Sequence, residues 1–537
     1  MTARLTSRRN VTDVRDFGAG GYGVTDDSAA IQAAVDSLGT TGGVVLFPPG
    51  IYLLDDDPIW LPANTAGLTV LSGYGATIKL TATSQFFCSW TRGADYDTFN
   101  HWVIEGFDVD CDNITPTGGQ AVIQIHGSHR QRSNVDDILI RDIRMYNMEC
   151  ATSGNNLHLG ISICSAHLGA AEATQSVIQN VTIERVRVEG GIVGITVGGE
   201  GGVHNMNILC DNITLRDCYH DTGLRHATFF AAANFHLGVW ARGNRCLIEN
   251  CVGYGSGDVG IELDNWSQAE VRDTVIEDAY SACFYLTNSN HPPGHQVVRF
   301  DRCEARHVSN TSGASAHGRG FNFAYLEGVP IGEVILDGCA FTKLTTGLSA
   351  SSVTDAISFS ALPIEALTVR DFTHTHTGWT QAAGNVAYAP FQMGFVGPTL
   401  LTIDGLRSTV VGTCDTGYTF NYCLLYIAGS DVLMDVRRVS LDWNVTDSPT
   451  SALVGMRIGD STTSAGGTIG DLRFIAMEDG ATPYGVIIAD SATLTIQGLM
   501  RVADCDFSRM PAGGNEILVV GVTNTALTVL RDNALIP

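Results

Sequence analysis

Lysine is almost absent from this chain of 537 residues: Lys79 and Lys343 are the only two. With 56 acidic residues against 31 Lys and Arg the formal net charge is -25, which argues against nucleic acid or an anionic membrane surface as partner, since both are polyanions. A neutral ligand is easier to hold, and a polyanionic one requires a local cluster of arginines. No uninterrupted run of about 18 apolar residues occurs, so no membrane-spanning helix is expected. The opening MTARLTSRRN is basic but has no apolar stretch after it, so the chain reads as soluble without a visible export signal; extracellular or virion-associated action remains open. The 14 cysteines include no CxxC pair, which removes the commonest zinc and redox signatures, and neither a metal nor a cofactor is expected.

Glycine is abundant. Sixty glycines in a chain that is 44% hydrophobic and only 16% charged describe many short strands joined by turns. Length alone suggests several globular domains, unless the chain is a repeat protein whose core grows along one axis. Repeats are present. TLRDC, LIENC, RFDRC and VILDGC, ending at Cys218, Cys251, Cys303 and Cys339, each read as strand, turn and cysteine. Their spacing is about 24 to 36 residues once VIEDA, ending at Ala279, is counted as a coil. A second column aligns LGISIC (159–164), VGITVG (193–198), LGVWAR (237–242) and VGIELD (259–264), continued by ACFYLT (282–287). Alternation directs Ile161/Ile163, Ile195/Val197, Val239/Ala241, Ile261/Leu263 and Phe284/Leu286 inward. The cysteines then serve as small buried hydrophobes in a ladder. IEALTVRDF, PTLLTIDGL, SDVLMDVRRV and ALTVLRD carry the pattern onward, so residues 61–537 read as one parallel β-helix with room for a modified C-terminal end.

Residues 1–60 differ. TDDSAAIQAAVDSL (25–38) has Asp26 and Asp27 in the expected first turn and Ala30, Ile31, Ala34, Val35 and Leu38 at helical spacing, an amphipathic helix placed to cover the open end of a solenoid. VTDVRDFGAGGYGVTDDSAAIQAAVDSLGTTGGVVLFPPGIYLL (11–54) resembles the opening signature of the pectate-lyase-like right-handed parallel β-helix superfamily. The resemblance implies an all-β right-handed parallel β-helix with an N-terminal capping α-helix. It spans polygalacturonase-like hydrolases, polysaccharide lyases, epimerases, fructan-cleaving transferases and phage tailspike depolymerases, and the signature does not choose among them. Tailspike and fructan types often form trimers, so a homotrimer is compatible with it. GAGGYG (18–23) fits G-x-G-x-x-G, but the LFPPGIYLL that follows puts prolines where a dinucleotide fold needs a strand.

The inward residues fix an outward face. It carries His236, Gly238, Trp240 and Arg242 on one coil, Asp258, Gly260, Glu262 and Asp264 on the next, then Ser281, Cys283, Tyr285 and Thr287. With coils about 4.8 Å apart, Trp240, Glu262 and Tyr285 form one row and Arg242, Asp264 and Thr287 the next. Glycoside cleavage needs a proton donor and a second carboxylate. Glu262 between two aromatics suits the acid, Asp264 beside Arg242 the base or nucleophile, and Asp258 is the alternative second carboxylate. Trp240 and Tyr285 offer surfaces for sugar rings, His236 and Arg242 offer hydrogen bonds, and Glu200 reaches toward the same region. The ordinary reading is that outward acids are simply solvated; the co-located aromatics, arginine and histidine weigh against it. His374 and His376 in THTHT share a face, but no third metal ligand is in sight.

These readings predict an enzyme that cleaves a glycosidic bond of a polysaccharide or oligosaccharide, by hydrolysis or intramolecular transfer. The alternatives are a lyase or epimerase acting on a uronate-containing glycan, disfavoured by the scarcity of lysine, and a non-catalytic glycan-binding spike.

Overall fold

A computed structural model describes residues 10–55, 57–62, 66–83, 85–89, 97–114, 120–126, 133–149, 158–165, 176–199, 208–222, 233–239, 241–288, 295–308, 318–325, 331–344, 356–360, 364–381, 391–393, 399–414, 422–427, 431–446, 453–458, 464–477, 484–488, 495–503, 505, 515–519 and 527–529. The fold is a right-handed parallel β-helix, nearly all strand, as the opening signature implied. The chain divides into two compact units, Met1–Gly257 and Asp258–Pro537.

In the first unit each coil contributes a strand to a short sheet and a bent strand to a long one. Gln120–His126, His158–Ser165, Val193–Gly199 and Ala233–Val239 pair in parallel in the short sheet. Ser133–Met148, Ser176–Gly190 and Ile208–Arg216 pair likewise in the long sheet. The second unit repeats the scheme with Val259–Asp264, Ala282–Asn288, Arg319–Tyr325 and Ile357–Ser360 in its short sheet, and closes with five further short strands from Phe391–Met393 to Asn515–Val519.

The bend in the long-sheet strands has a local cause. At the bend, one residue of each coil takes a left-handed backbone: Gly106, Asp142, Arg185, Asp217 and Asn250 in the first unit, Asp273, Arg302, Gly338, Asp371, Gly405, Arg438 and Asp471 in the second. Left-handed geometry favours Gly, Asn and Asp, and here side chains on adjacent coils brace one another. Arg185 Nε lies 2.6 Å from Asp142 Oδ1, and Arg302 donates Nε and Nη2 to the two oxygens of Asp273 at 2.8 and 2.9 Å. The residue after the corner turns inward, and this is the cysteine column. Cys218, Cys251, Cys303 and Cys339 are all buried, with thiols aimed at backbone carbonyls such as Arg216 O at 3.3 Å and Val271 O at 3.2 Å. The eleven cysteines whose side chains are described are all buried thiols. In the coil before Cys303 the column is filled by Thr274 and not by Ala279, because Val275 pairs with Glu304 and so aligns Thr274 with Cys303.

The helix spans Ser28–Asp36, with Ile31, Ala34 and Val35 fully buried. Asp26 and Asp27 precede it instead of occupying its first turn: Asp27 is the N-cap residue and accepts from the amides of Gly20 at 2.6 Å and Gly21 at 3.3 Å. The chain's own carboxylate therefore engages amides of the GAGGYG loop that a phosphate would need. Gln32 ties the helix to the first short-sheet strand, donating to Trp60 O (3.0 Å) and accepting from Trp60 N (2.7 Å).

Candidate active site

The inward phase of the second unit's short sheet matches expectation at Ile261, Leu263, Phe284 and Leu286, all fully buried. Glu262 and Tyr285 lie between these residues on the opposite face, in register and partly open to solvent. Asp264 pairs with Thr287 in the next column, the two only 5% and 2% exposed. Ser281 donates its backbone N–H to Asp258 O at 2.6 Å, which places Asp258 and Ser281 side by side at the strand entrance.

The entrance does not alternate strictly. A Cβ on Gly260 would meet Ile276 Cγ2 at 2.1 Å and Cys283 O at 2.5 Å, so this position faces the interior. Cys283, expected on the outward face, is likewise fully buried, with its sulfur 3.6 Å from His307 Nε2. Gly260 thus seats the strand tightly against the core between the two carboxylates. At the far end Asn265 adopts φ 53°, and its N–H reaches Thr287 O at 3.2 Å. His295, fully enclosed, lies with Nε2 2.9 Å from that same carbonyl and Nδ1 accepting from Trp266 N at 3.1 Å. Both ends of the acid-bearing strand are held.

The electrostatics of the acids follow from this placement. Burial pushes the Glu262 carboxyl up to about 7. Burial also raises Asp258 to about 7, with the charge of Glu262 adding and a hydrogen bond from Ser281 opposing. The charge of Glu262 thus favours the protonated form of Asp258, and two acids placed so titrate in the same range. Tyr285 is driven up to about 12 by burial and by the charges of Glu262 and Asp258, with Arg319 opposing, so its hydroxyl stays protonated at any ordinary pH. Arg319 was not anticipated from sequence. It lies in RGFNFAY, which aligns without gaps on ACFYLTN: Ala282 pairs with Arg319, Phe284 with Phe321 and Tyr285 with Asn322.

The first unit corrects the predicted rows. Val193 pairs with Ala233 and Val197 with Leu237, so Phe235 and Leu237 are the inward residues and His236 stands beside Thr196. The register of LGVWAR differs by four residues from the one its sequence suggests, because its Leu-Gly mimics the Val-Gly of its neighbours. The true equivalent of Gly194 is Asn234, whose larger side chain faces Gly253, whereas Gly194 faces His220: the sizes are exchanged across the core. Gly238 at φ 84° shifts the register, so that Val239 pairs with Gly198, and Arg242 opens a long-sheet strand paired with Leu209. Arg242 is therefore off the short-sheet column that carries His236, and the predicted row reduces to Asp264 and Thr287. Ala241 is buried, as expected, but at a turn. Burial lowers His236 to about 3, so it is a neutral imidazole. Trp240, Glu200 and the side chain of Val239 lie outside the described residues.

His374 and His376 are fully buried core residues: His374 stacks on Phe341 with ring centroids 5.7 Å apart, and its Nδ1 lies 2.8 Å from Ser408 Oγ. Among the described residues no group of three or more His, Cys, Asp or Glu is arranged to hold a metal, and no helix is long and apolar enough to cross a membrane.

Residues 11–236 match the family model described as rhamnogalacturonase A/epimerase, pectate lyase-like. The mannuronan C5-epimerases AlgE5 and AlgE2 of Azotobacter vinelandii are both 26% identical, over 278 and 290 residues. These alignments cover 48% and 49% of this chain but 23% and 24% of the relatives, so only about a quarter of each epimerase is matched. A mutant tailspike protein of E. coli bacteriophage HK620, solved with a pentasaccharide, superposes with a TM-score of 0.51 at 11% identity, covering 96% of this chain and 80% of that one. The superfamily resemblance read from residues 11–54 is borne out.

Proposed function

We propose that the protein cleaves a glycosidic bond, with the Asp258–Glu262 pair supplying proton donor and base. The observation that carries this reading is that both carboxyls are raised to about 7, on a strand whose neighbours in register bring Tyr285 and Arg319 to the same region. At neutral pH such a pair holds close to one proton, so one member can protonate the leaving oxygen while the other activates water or a sugar hydroxyl. Asp264, beside Thr287, is the reserve carboxylate. The test is mass spectrometry of products from inulin, dextran, polygalacturonate, mannuronan and a bacterial O-polysaccharide. Shortened or cyclised products that vanish in Glu262→Gln support the reading; cleavage unchanged in both Glu262→Gln and Asp258→Asn removes it.

The kinship with mannuronan C5-epimerases favours a second reading, proton exchange next to a uronate carboxylate. Tyr285, held protonated, suits the donor half of that exchange and Arg319 the carboxylate. Inversion of uronate stereochemistry by NMR without chain shortening would select it, and an unsaturated product would select a lyase.

A further inference from the structure

We infer that Asn322 and Thr287 form a subsite for an uncharged sugar unit, in the strip that continues from Glu262. The inference rests on the proposed glycan chemistry of that face. Registered pairing runs Glu262, Tyr285, Asn322, Ser358 across four successive strands, with Asp264, Thr287, Ala324 and Ser360 beside it. Phe321 and Phe323 flank Asn322 and point into the core, as Leu286 does before Thr287, so Asn322 and Thr287 stand on the face of the carboxylates. Asn322 is two coils from Glu262, roughly 9 to 10 Å. That separation puts the sugar above it beyond the one being cleaved.

Both residues are 2% exposed, and Asn322 Oδ1 and Thr287 Oγ1 have no hydrogen-bond partner among the described residues. Enclosed polar atoms are nearly always satisfied, so a pair of orphans beside Tyr285 marks groups kept for a ligand. The ligand's chemistry follows from the atoms. Asn322 Oδ1 needs a donor, which a sugar hydroxyl or acetamido N–H supplies; a neutral unit offers one in any orientation, whereas a uronate does so only with its carboxylate turned away. A hydroxyl such as Thr287 Oγ1 can donate in return. The chemistry of these two atoms therefore favours a neutral unit here, whatever charge the polymer carries elsewhere.

The test uses the full chain carrying Glu262→Gln, titrated calorimetrically with hexasaccharides of inulin, dextran, mannuronan and polygalacturonate. Parallel product-length analysis uses chains that retain Glu262. Asn322→Leu is expected to weaken the best neutral probe at least about tenfold and to shift product lengths, while Asn322→Asp, which keeps the acceptors, stays within about threefold. Thr287→Val gives a smaller loss, and thermal melts confirm that each variant folds; should Asn322→Leu not fold, Asn322→Asp and Thr287→Val decide. Unchanged affinity in Asn322→Leu, meaning that only water occupies the shelf, overturns the subsite, as does a uronate probe whose binding Asn322→Asp abolishes. Binding that depends on Asn322 without any cleavage by the unmutated chain keeps the subsite and rejects the cleavage reading; no binding of any probe rejects both.

Discussion

Glu262 and Tyr285 are registered neighbours on adjacent parallel strands, and burial and the charge of Glu262 together raise the proton affinity of the Tyr285 hydroxyl while Ile261 and Phe284 fill the core beneath them. Because Asp258 joins the same electrostatic group, the two carboxyls titrate as a unit. Replacing either with its amide removes a proton-transfer partner without changing shape. Glu262→Gln and Asp258→Asn should each lower kcat by about 10²- to 10⁴-fold with far-UV circular dichroism unchanged. Single-turnover assays on the preferred polymer measure this, and a loss confined to KM would contradict it.

The pH profile follows from the same pair. On the proposed cleavage chemistry one proton is shared between Asp258 and Glu262, so kcat/KM should be bell-shaped around neutrality, falling on the alkaline side as the acid ionises and on the acid side as the base is protonated. Tyr285, up at about 12, adds no limb in the ordinary range. In Glu262→Gln the coupling to Asp258 is gone, and the residual profile should shift to lower pH. An unshifted profile would place the titrating groups elsewhere.

Stability should show opposing pH trends. Glu262 and Asp258 have folded values raised above their unfolded ones, so their contribution is present below about pH 4 and is lost as pH rises through about 7. His220 and His295 are the reverse case. Burial lowers both to about 4, so the unfolded chain binds more protons between about pH 4 and 6.5, and stability falls as pH drops through that window. Glu262→Gln should therefore raise the melting temperature at pH 8 and lose most of that advantage at pH 4. Equal shifts at both pH values would mean the carboxyl is not held protonated by burial.

Much of the coil was legible, and the failures have physical causes. Inward alternation at Ile161, Ile195, Ile261 and Phe284 is a direct consequence of burying one face, and the sequence pattern carries it unambiguously. The shifted register at 233–239 arose because the core exchanges side-chain volume between facing strands, Asn234 against Gly253 and His220 against Gly194, and no local pattern records which strand faces which. Cys283 was misassigned for a similar reason: the strand entrance points Gly260 and Cys283 toward the opposite wall, where Ile276 and His307 wait. Asn322 and Arg319 were legible in principle, since RGFNFAY repeats ACFYLTN, but the long intervening segment hid the repeat. The sequence holds seven N-x-S/T triplets, and four of them begin at Asn113, Asn180, Asn212 and Asn265, all left-handed; backbone geometry accounts for those asparagines without glycosylation.

The thiols offer a test of the cysteine column. Cys218, Cys251, Cys303 and Cys339 are buried and unbridged, and burial raises the ionisation of Cys251 and Cys303 well above the ordinary thiol value. Little thiolate is available for reaction. Peptide mapping after alkylation of the native protein should find these four unmodified, and after denaturation fully modified, with a melting temperature indifferent to reductant. Rapid labelling of any of the four in native buffer would show that its coil opens.

The aromatic stack behind the candidate site sets the last expectation. Phe321 lies parallel to Phe284, with ring centroids 4.7 Å apart and an interplanar angle of 8°, while Phe300 meets both edge-on at 5.4 and 5.6 Å. All three are fully buried, so Phe321→Ala removes ring burial and stacking and leaves a cavity. The cost should be about 3–5 kcal/mol, read from the denaturant midpoint. Because Phe321 immediately precedes Asn322 and pairs with Phe284 next to Tyr285, loosened packing should also disturb the strip above it. Phe321→Leu, which retains more volume, should cost less and leave turnover closer to normal. Phe321→Ala with unaltered stability would mean that this stack does not hold the coils together, and the rigidity ascribed to the carboxylate strand would have to come from Gly260 and His295 alone.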